Sequence, residues 1–176
     1  MNRIKRLSTI AMFLMLPMMV YYPYEAISWQ LDISFLDWGK WTRNDSWVHP
    51  DAVIPLGTRV IFFAIWFIPT VFGFAAYATG LNLLWLLRAG VVFDIRIAQR
   101  LRVMGVMIVL SATLSLLAGA VSPMIRSWHN PGGALPLRFW YDSGNLGMTF
   151  CGLAFFFLGL VMREAIRIAR ENEAFV

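Results

Sequence analysis

Four long apolar blocks, at about Leu7–Tyr24, Val60–Leu87, Val103–Ile125 and Leu146–Met162, constrain this chain more than any other feature. A helix needs about 20 apolar residues to cross about 30 Å of hydrocarbon, so each block is long enough, or nearly so, to span a membrane. Composition agrees, with 59% of the 176 residues apolar and 14% charged, against about 45–50% and about 25% in soluble domains. A water-soluble fold of this size has too little interior to hide that surface. The expectation is therefore an all-α integral membrane protein: one domain over residues 1–176, a four-transmembrane-helix bundle in contact with the lipid bilayer. Outer loops are expected at 25–58 and 126–145 and a cytoplasmic tail at 163–176. Catalysis would have to fit into loops and helix ends.

Orientation follows from the basic residues. Ten of the fifteen lie in the N-terminus (Arg3, Lys5, Arg6), the middle turn (Arg88, Arg96, Arg100, Arg102) and the tail (Arg163, Arg167, Arg170). The remaining five are Lys40, Arg43, Arg59, Arg126 and Arg138. Basic residues beside spans are retained on the cytoplasmic side, so both termini are expected there. The net charge of +5 is then a topology signal, and its dispersal over three short segments argues against nucleic-acid binding. The N-terminus has the basic start and apolar run of a secretory signal, but Tyr21, Tyr22, Pro23 and Tyr24 stand where small residues would allow cleavage. It is expected to remain as an anchor.

Local signals refine the outline. Pro17 is expected to kink the first span. The stretch after it carries Trp29, Trp38, Trp41 and Trp47 among acidic and basic residues, as an interfacial loop would. Strict alternation from Trp29 to Phe35 fits an extended segment, and the helical spacing of Leu31, Phe35 and Trp38 fits nearly as well, so both conformations stand. The second span is uncharged for 28 residues, about 42 Å as a helix, which requires tilt, a kink at Pro69 or protrusion. Gly90 is placed as a C-cap and Asp94 as an N-cap, making RAGVVFD, with Phe93, a tight cytoplasmic turn. HNPGG marks a second turn, and the fourth span runs on into a polar helix ending ENEAFV.

The segments RAGVVFDIRIAQRLRVMG and REAIRIARENEAFV resemble the bacterial membrane family known as domain of unknown function 2975 (DUF2975). The positions that carry the likeness are Gly90, Phe93, Arg102, Gly105, Glu171, Asn172 and Glu173, and it covers roughly the second half of the chain. Family endings continue with a threonine where this chain has Ala174 and Phe175. The resemblance implies a four-span protein of the bacterial cytoplasmic (inner) membrane and implies no particular activity.

No ionisable residue falls within the four spans, although charges at mid-bilayer are what mark proton and ion paths. Glu25, Arg59 and Arg126 lie at span ends, where a structural ion pair is the expected use. His49 and His129 fall in the loops, away from the helix positions a haem would need. Solvated loop histidines are expected, and neither a metal nor another cofactor is predicted. Cys151 has no disulfide partner. The ten methionines form no closely spaced set with Cys or His, and read as apolar filler. Asn82 and Thr79 are expected to bond backbone or neighbouring helices.

Small residues supply the strongest remaining pattern. Ser111, Ser115 and Gly119 recur every four residues, extended by Ala118 and Ser122; Gly147 and Cys151 repeat that spacing, and Gly152 and Gly159 stand seven apart. Such faces allow close helix approach, within the bundle or to another membrane protein. In the tail, Arg163, Arg167 and Arg170 share a face, Arg167 can pair with Glu171, and Phe175 follows as an apolar end suited to contact. The expected function is non-enzymatic: an accessory subunit, assembly factor or regulatory partner acting through protein contacts. The alternative is a small transporter or sensor holding an uncharged or lipophilic ligand in the bundle.

Overall fold

The computed structural model describes residues 2–36, 48–139 and 143–173. Four helices account for most of them: α1 (Asn2–Leu31), α2 (Leu56–Arg88), α3 (Ile95–Ser127) and α4 (Ser143–Glu173). Each is long and apolar enough to cross a membrane. The chain is thus an all-α, multi-pass membrane protein. Trp38, Trp41, Trp47, Phe175 and the end of the LRFWYD stretch lie outside the described residues.

Every helix outruns its apolar block, because the polar segments beside the blocks are helical too. The 33 residues each of α2 and α3 span about 50 Å at 1.5 Å per residue. The helix of α1 passes through Pro17 and Pro23 and continues as a π-helical turn, Asp32–Leu36. That resolves the alternating stretch as helical, and it makes the first twelve residues of the expected loop part of the helix system. The tail is helical to Glu173, as the unbroken pattern predicts.

The helices pack in chain order, α1 on α2, α2 on α3 and α3 on α4. The turn between α2 and α3 is fixed by its sequence. Gly90 takes φ +88°, a conformation open to glycine because it lacks a Cβ. The Gly90 N–H then donates to the Leu87 carbonyl at 3.0 Å and the Val91 N–H to Leu86 at 3.1 Å, the paired bonds of a Schellman stop. Asp94 caps α3 by accepting from the Arg96 N–H at 2.8 Å. Phe93 projects from this turn, exposed. We call this the turn end of the molecule.

At the opposite, loop end, Val48, Ile54, Phe62 and Ile125 form a buried cluster with Ile33, Ala52 and Trp66 against it. Polar bonds fasten the loops over it. The Asn130 side chain accepts the His49 N–H at 2.9 Å, and Thr58 meets His129 at 2.8 Å. The HNPGG turn closes through Gly133, at φ +85°, whose N–H donates to Asn130. Beyond it the chain folds back along α3, with the Leu135 N–H donating to the buried Ser127 hydroxyl at 2.7 Å and the Arg138 N–H to the Ala120 carbonyl at 3.2 Å.

Between α3 and α4 the contact is main chain to main chain, and glycine makes it possible. A Cβ on Gly105 would lie 2.5 Å from the Gly152 carbonyl oxygen and 2.6 Å from the Phe156 nitrogen; one on Gly159 would lie 2.7 Å from the Ala98 carbonyl oxygen. Gly152 and Gly159 on α4 thus meet Gly105 and Ala98 on α3, an antiparallel register with a seven-residue step on both helices. Arg102 completes the seam, its guanidinium 5.6 Å from the Phe156 ring centre.

Candidate functional site

Two adjoining spaces stand out between the helices. The larger is an apolar groove of about 670 Å³ between α1 and α4, floored by α2 and α3. Met15, Gly73, Gly80, Met104, Gly147 and Phe155 are among the residues that line it, and none of its lining residues is charged. Small residues open the groove. A Cβ at Gly80 would lie 3.1 Å from the Met15 methyl, so the helix backbone itself forms part of the floor.

The second space, about 340 Å³, lies nearer the loop end and is lined by Tyr22, Glu25, Trp29, Gln30, Trp66 and Ser115, with Ala26, Pro69 and Thr70. Tyr22 lines both spaces. Its ring fits beside Gly73, where any Cβ would collide with the phenol hydroxyl. It packs 5.2 Å from Tyr77 by ring centres.

The walls of this smaller pocket are fixed by hydrogen bonds that run from helix to helix. Ser111 donates to the Pro69 carbonyl at 2.9 Å, and Trp66 Nε1 donates to Ser122 at 2.9 Å. The Gln30 amide donates to the Trp66 carbonyl at 3.2 Å and to the Thr70 hydroxyl at 3.1 Å. Thr70 spends its own proton on the Trp66 carbonyl, at 3.0 Å. Both partners of Gln30 are therefore acceptors, which fixes which end of the amide is nitrogen. Its Oε1 has no hydrogen-bond partner among the described residues, although Gln30 is only 3% exposed. In a low-dielectric interior an acceptor left in this state is costly.

The structure sorts the sequence-derived small faces. Ser111 and Gly152 and Gly159 are buried in helix contacts. Ser115 is half-buried beside the polar pocket. Gly119 and Gly147 have nothing within 4 Å of an added Cβ, and Cys151 is exposed, so these three do not take part in close internal packing. The four-residue spacing shows a small surface without showing which way it points. Gly147 and Cys151 instead border the apolar groove. Thr79 bonds backbone as expected, donating to the Ala75 carbonyl at 2.7 Å, whereas Asn82 is exposed beside Gln99 and Arg102.

Gln30 and Gly73 went unread in the sequence. Gln30 lies in a stretch that passes for loop, and the usable signal was its place between Trp29 and Leu31 on a helical continuation. At the turn end, Arg163, Arg167, Arg170 and Glu171 border a cleft of about 850 Å³ with Ile95 and Ile166. Arg167 pairs with Glu164 and reaches Glu171 at 3.5 Å; these acids raise its already high pKa. The Asp94 carboxyl is held below the usual range by hydrogen bonds from the Arg96 side chain and N–H, burial opposing, with Arg170 adding a weaker pull. Among the described residues no three His, Cys, Asp or Glu side chains cluster as a metal site would need. No family model, curated protein or solved structure matches this chain.

Proposed function

We propose that this is a non-enzymatic membrane protein whose bundle holds an uncharged or lipophilic molecule in the groove between α1 and α4. The observation that carries this is the groove's size and lining: about 670 Å³, contributed by all four helices, with no charged residue. That volume lies within the about 300–1,000 Å³ of small-molecule pockets. Apolar molecules are the ones such walls retain.

Filling the groove tests the reading. Gly147 lines it and has open space at its Cβ position, so Gly147→Phe should block it while leaving the fold intact. The protein purified in mild detergent should carry a stoichiometric lipophilic molecule, detected by native mass spectrometry, and the variant should lose it. Equal recovery from both proteins would sink the proposal.

Action through protein contacts is the second reading, favoured by the tail. Arg163, Arg167 and Arg170 edge a cleft around Ile95 and the buried Ile166, a mixed surface that an acidic, apolar segment of a membrane or cytoplasmic partner would match. A stoichiometric partner lost on deleting Glu171–Val176 would support it. We also propose the bacterial inner membrane, cytoplasmic termini and membership of the family that the chain resembles. The bias of ten in fifteen basic residues toward the turn end and both termini supports that orientation. An impermeant thiol reagent should label a cysteine at Ser143 from outside intact cells, in a Cys151→Ala background, and spare one at Gln99.

A further inference from the structure

We infer that the polar pocket takes a primary ammonium group whose alkyl body runs past Tyr22 into the apolar groove; this rests on the groove reading above. The buried Gln30 Oε1 defines the missing chemistry. It is an acceptor fixed in orientation by two donated bonds, without a partner among the described residues and closed to solvent, so a molecule that reaches it by a shift of the pocket wall must carry a hydrogen-bond donor. The acidic group among the pocket's lining residues is Glu25, and no Lys or Arg accompanies it there. That combination selects a cation over an anion. Tyr22, Trp29 and Trp66 add aromatic rings to the wall, with Trp29 and Trp66 edge to face at 6.2 Å, and aromatic faces attract ammonium charge, more so where water is scarce. A quaternary ammonium would satisfy the rings and Glu25, but it has no N–H for Gln30.

Parts of the wall are set before a ligand arrives. Trp66 is held through Nε1 by Ser122, and Gln30 by Trp66 and Thr70. On α2 the pocket ends at Thr70 and the groove begins at Gly73, and Tyr22 borders both. A molecule with an amine head and an apolar chain therefore matches the two spaces in the order in which the fold presents them. The headgroup of an amine-bearing lipid and a free long-chain amine share this chemistry.

The test titrates the full chain in phosphatidylcholine nanodiscs with dodecylammonium, dodecyltrimethylammonium and dodecanol, followed calorimetrically. Dodecylammonium should bind at least tenfold more tightly than the other two, and Glu25→Gln and Gln30→Leu should each remove that advantage. Glu25 is exposed at the helix edge, so its variant tests the idea even where Gln30→Leu fails to fold. Equal binding of dodecanol and dodecylammonium would overturn the ammonium site and leave the groove reading standing. Saturable binding of none of the three would overturn both. Exchanging phosphatidylcholine for phosphatidylethanolamine assigns the source: competition with dodecylammonium points to the lipid headgroup, and an unchanged titration to a free amine.

Discussion

The two outer helices are attached to the bundle in opposite ways. Helix α4 meets α3 backbone to backbone, through Gly105, Gly152 and Gly159, where added Cβ atoms would approach neighbouring main chain to 2.5–2.9 Å. Helix α1 meets α2 through large rings and buried polar groups, with Tyr22 beside Gly73 and Gln30 on Trp66 and Thr70, and spaces of about 340 and 670 Å³ remain alongside. Side-chain burial alone misjudges both, since the most apolar window of α4 is only 11% buried and that of α1 not at all. Without a hydrophobic drive between helices in lipid, what counts is how closely atoms approach and which polar groups are matched. The α3–α4 seam is built to fit, and the α1 side is built to leave room.

The largest effect should come from adding bulk to the seam. Gly105→Leu or Gly152→Leu must displace backbone, and overpacking of this kind costs about 1–3 kcal/mol or more. Gly119→Leu, in open space, should stay within about 0.5 kcal/mol of the parent. Thermal stability in detergent measures both, and equal losses at Gly105 and Gly119 would erase the contrast.

On the α1 side a smaller and rescuable effect is expected. Gly73→Ala collides with the Tyr22 hydroxyl, a side-chain end that can move, so the loss should be about 1 kcal/mol. It should shrink in a Tyr22→Phe background, and additivity of the two changes would show that the contact is not made. Ser111→Ala, which deletes the bond to Pro69, should cost about 0.6 kcal/mol, the average for interhelical hydrogen bonds in membranes.

The smallest effect concerns the turn. Because Asp94 titrates below its ordinary value beside Arg96, its charge contributes stability at pH values above the unfolded-state pKa of about 3.9. That contribution is lost as pH falls through the lower folded value. Asp94→Asn retains a capping oxygen, so the difference in Tm between it and the parent should be slight at neutral pH and disappear in acid. A difference that persists below about pH 2 would point away from the carboxylate.

Much of this architecture is legible in the residues. The four apolar blocks specify four helices because lipid leaves the backbone few alternatives, and Gly90 and Asp94 declare the turn through local chemistry. The end of α1 was underestimated for the same reason that the blocks were clear. Polarity at 25–36 reports departure from the membrane, not departure from helix, whereas the Asp94 cap declares 95–102 as helix. The binding spaces were harder to read. Ser111, Ser115 and Gly119 look equivalent in spacing, yet they meet respectively a carbonyl, a pocket and nothing, because which face meets which helix depends on the crossing of two distant segments. Gln30 matters through partners 36 and 40 residues away, beyond the reach of any local pattern.

The turn between α2 and α3 also bears on how the chain is made. Its defining bonds join Leu87 to Gly90, Leu86 to Val91 and Asp94 to Arg96, partners so near in sequence that they can close as soon as the ribosome has released them. The turn can therefore form before α2 and α3 have packed on anything else. The segment that ties the two halves together is thus the one whose geometry owes least to either.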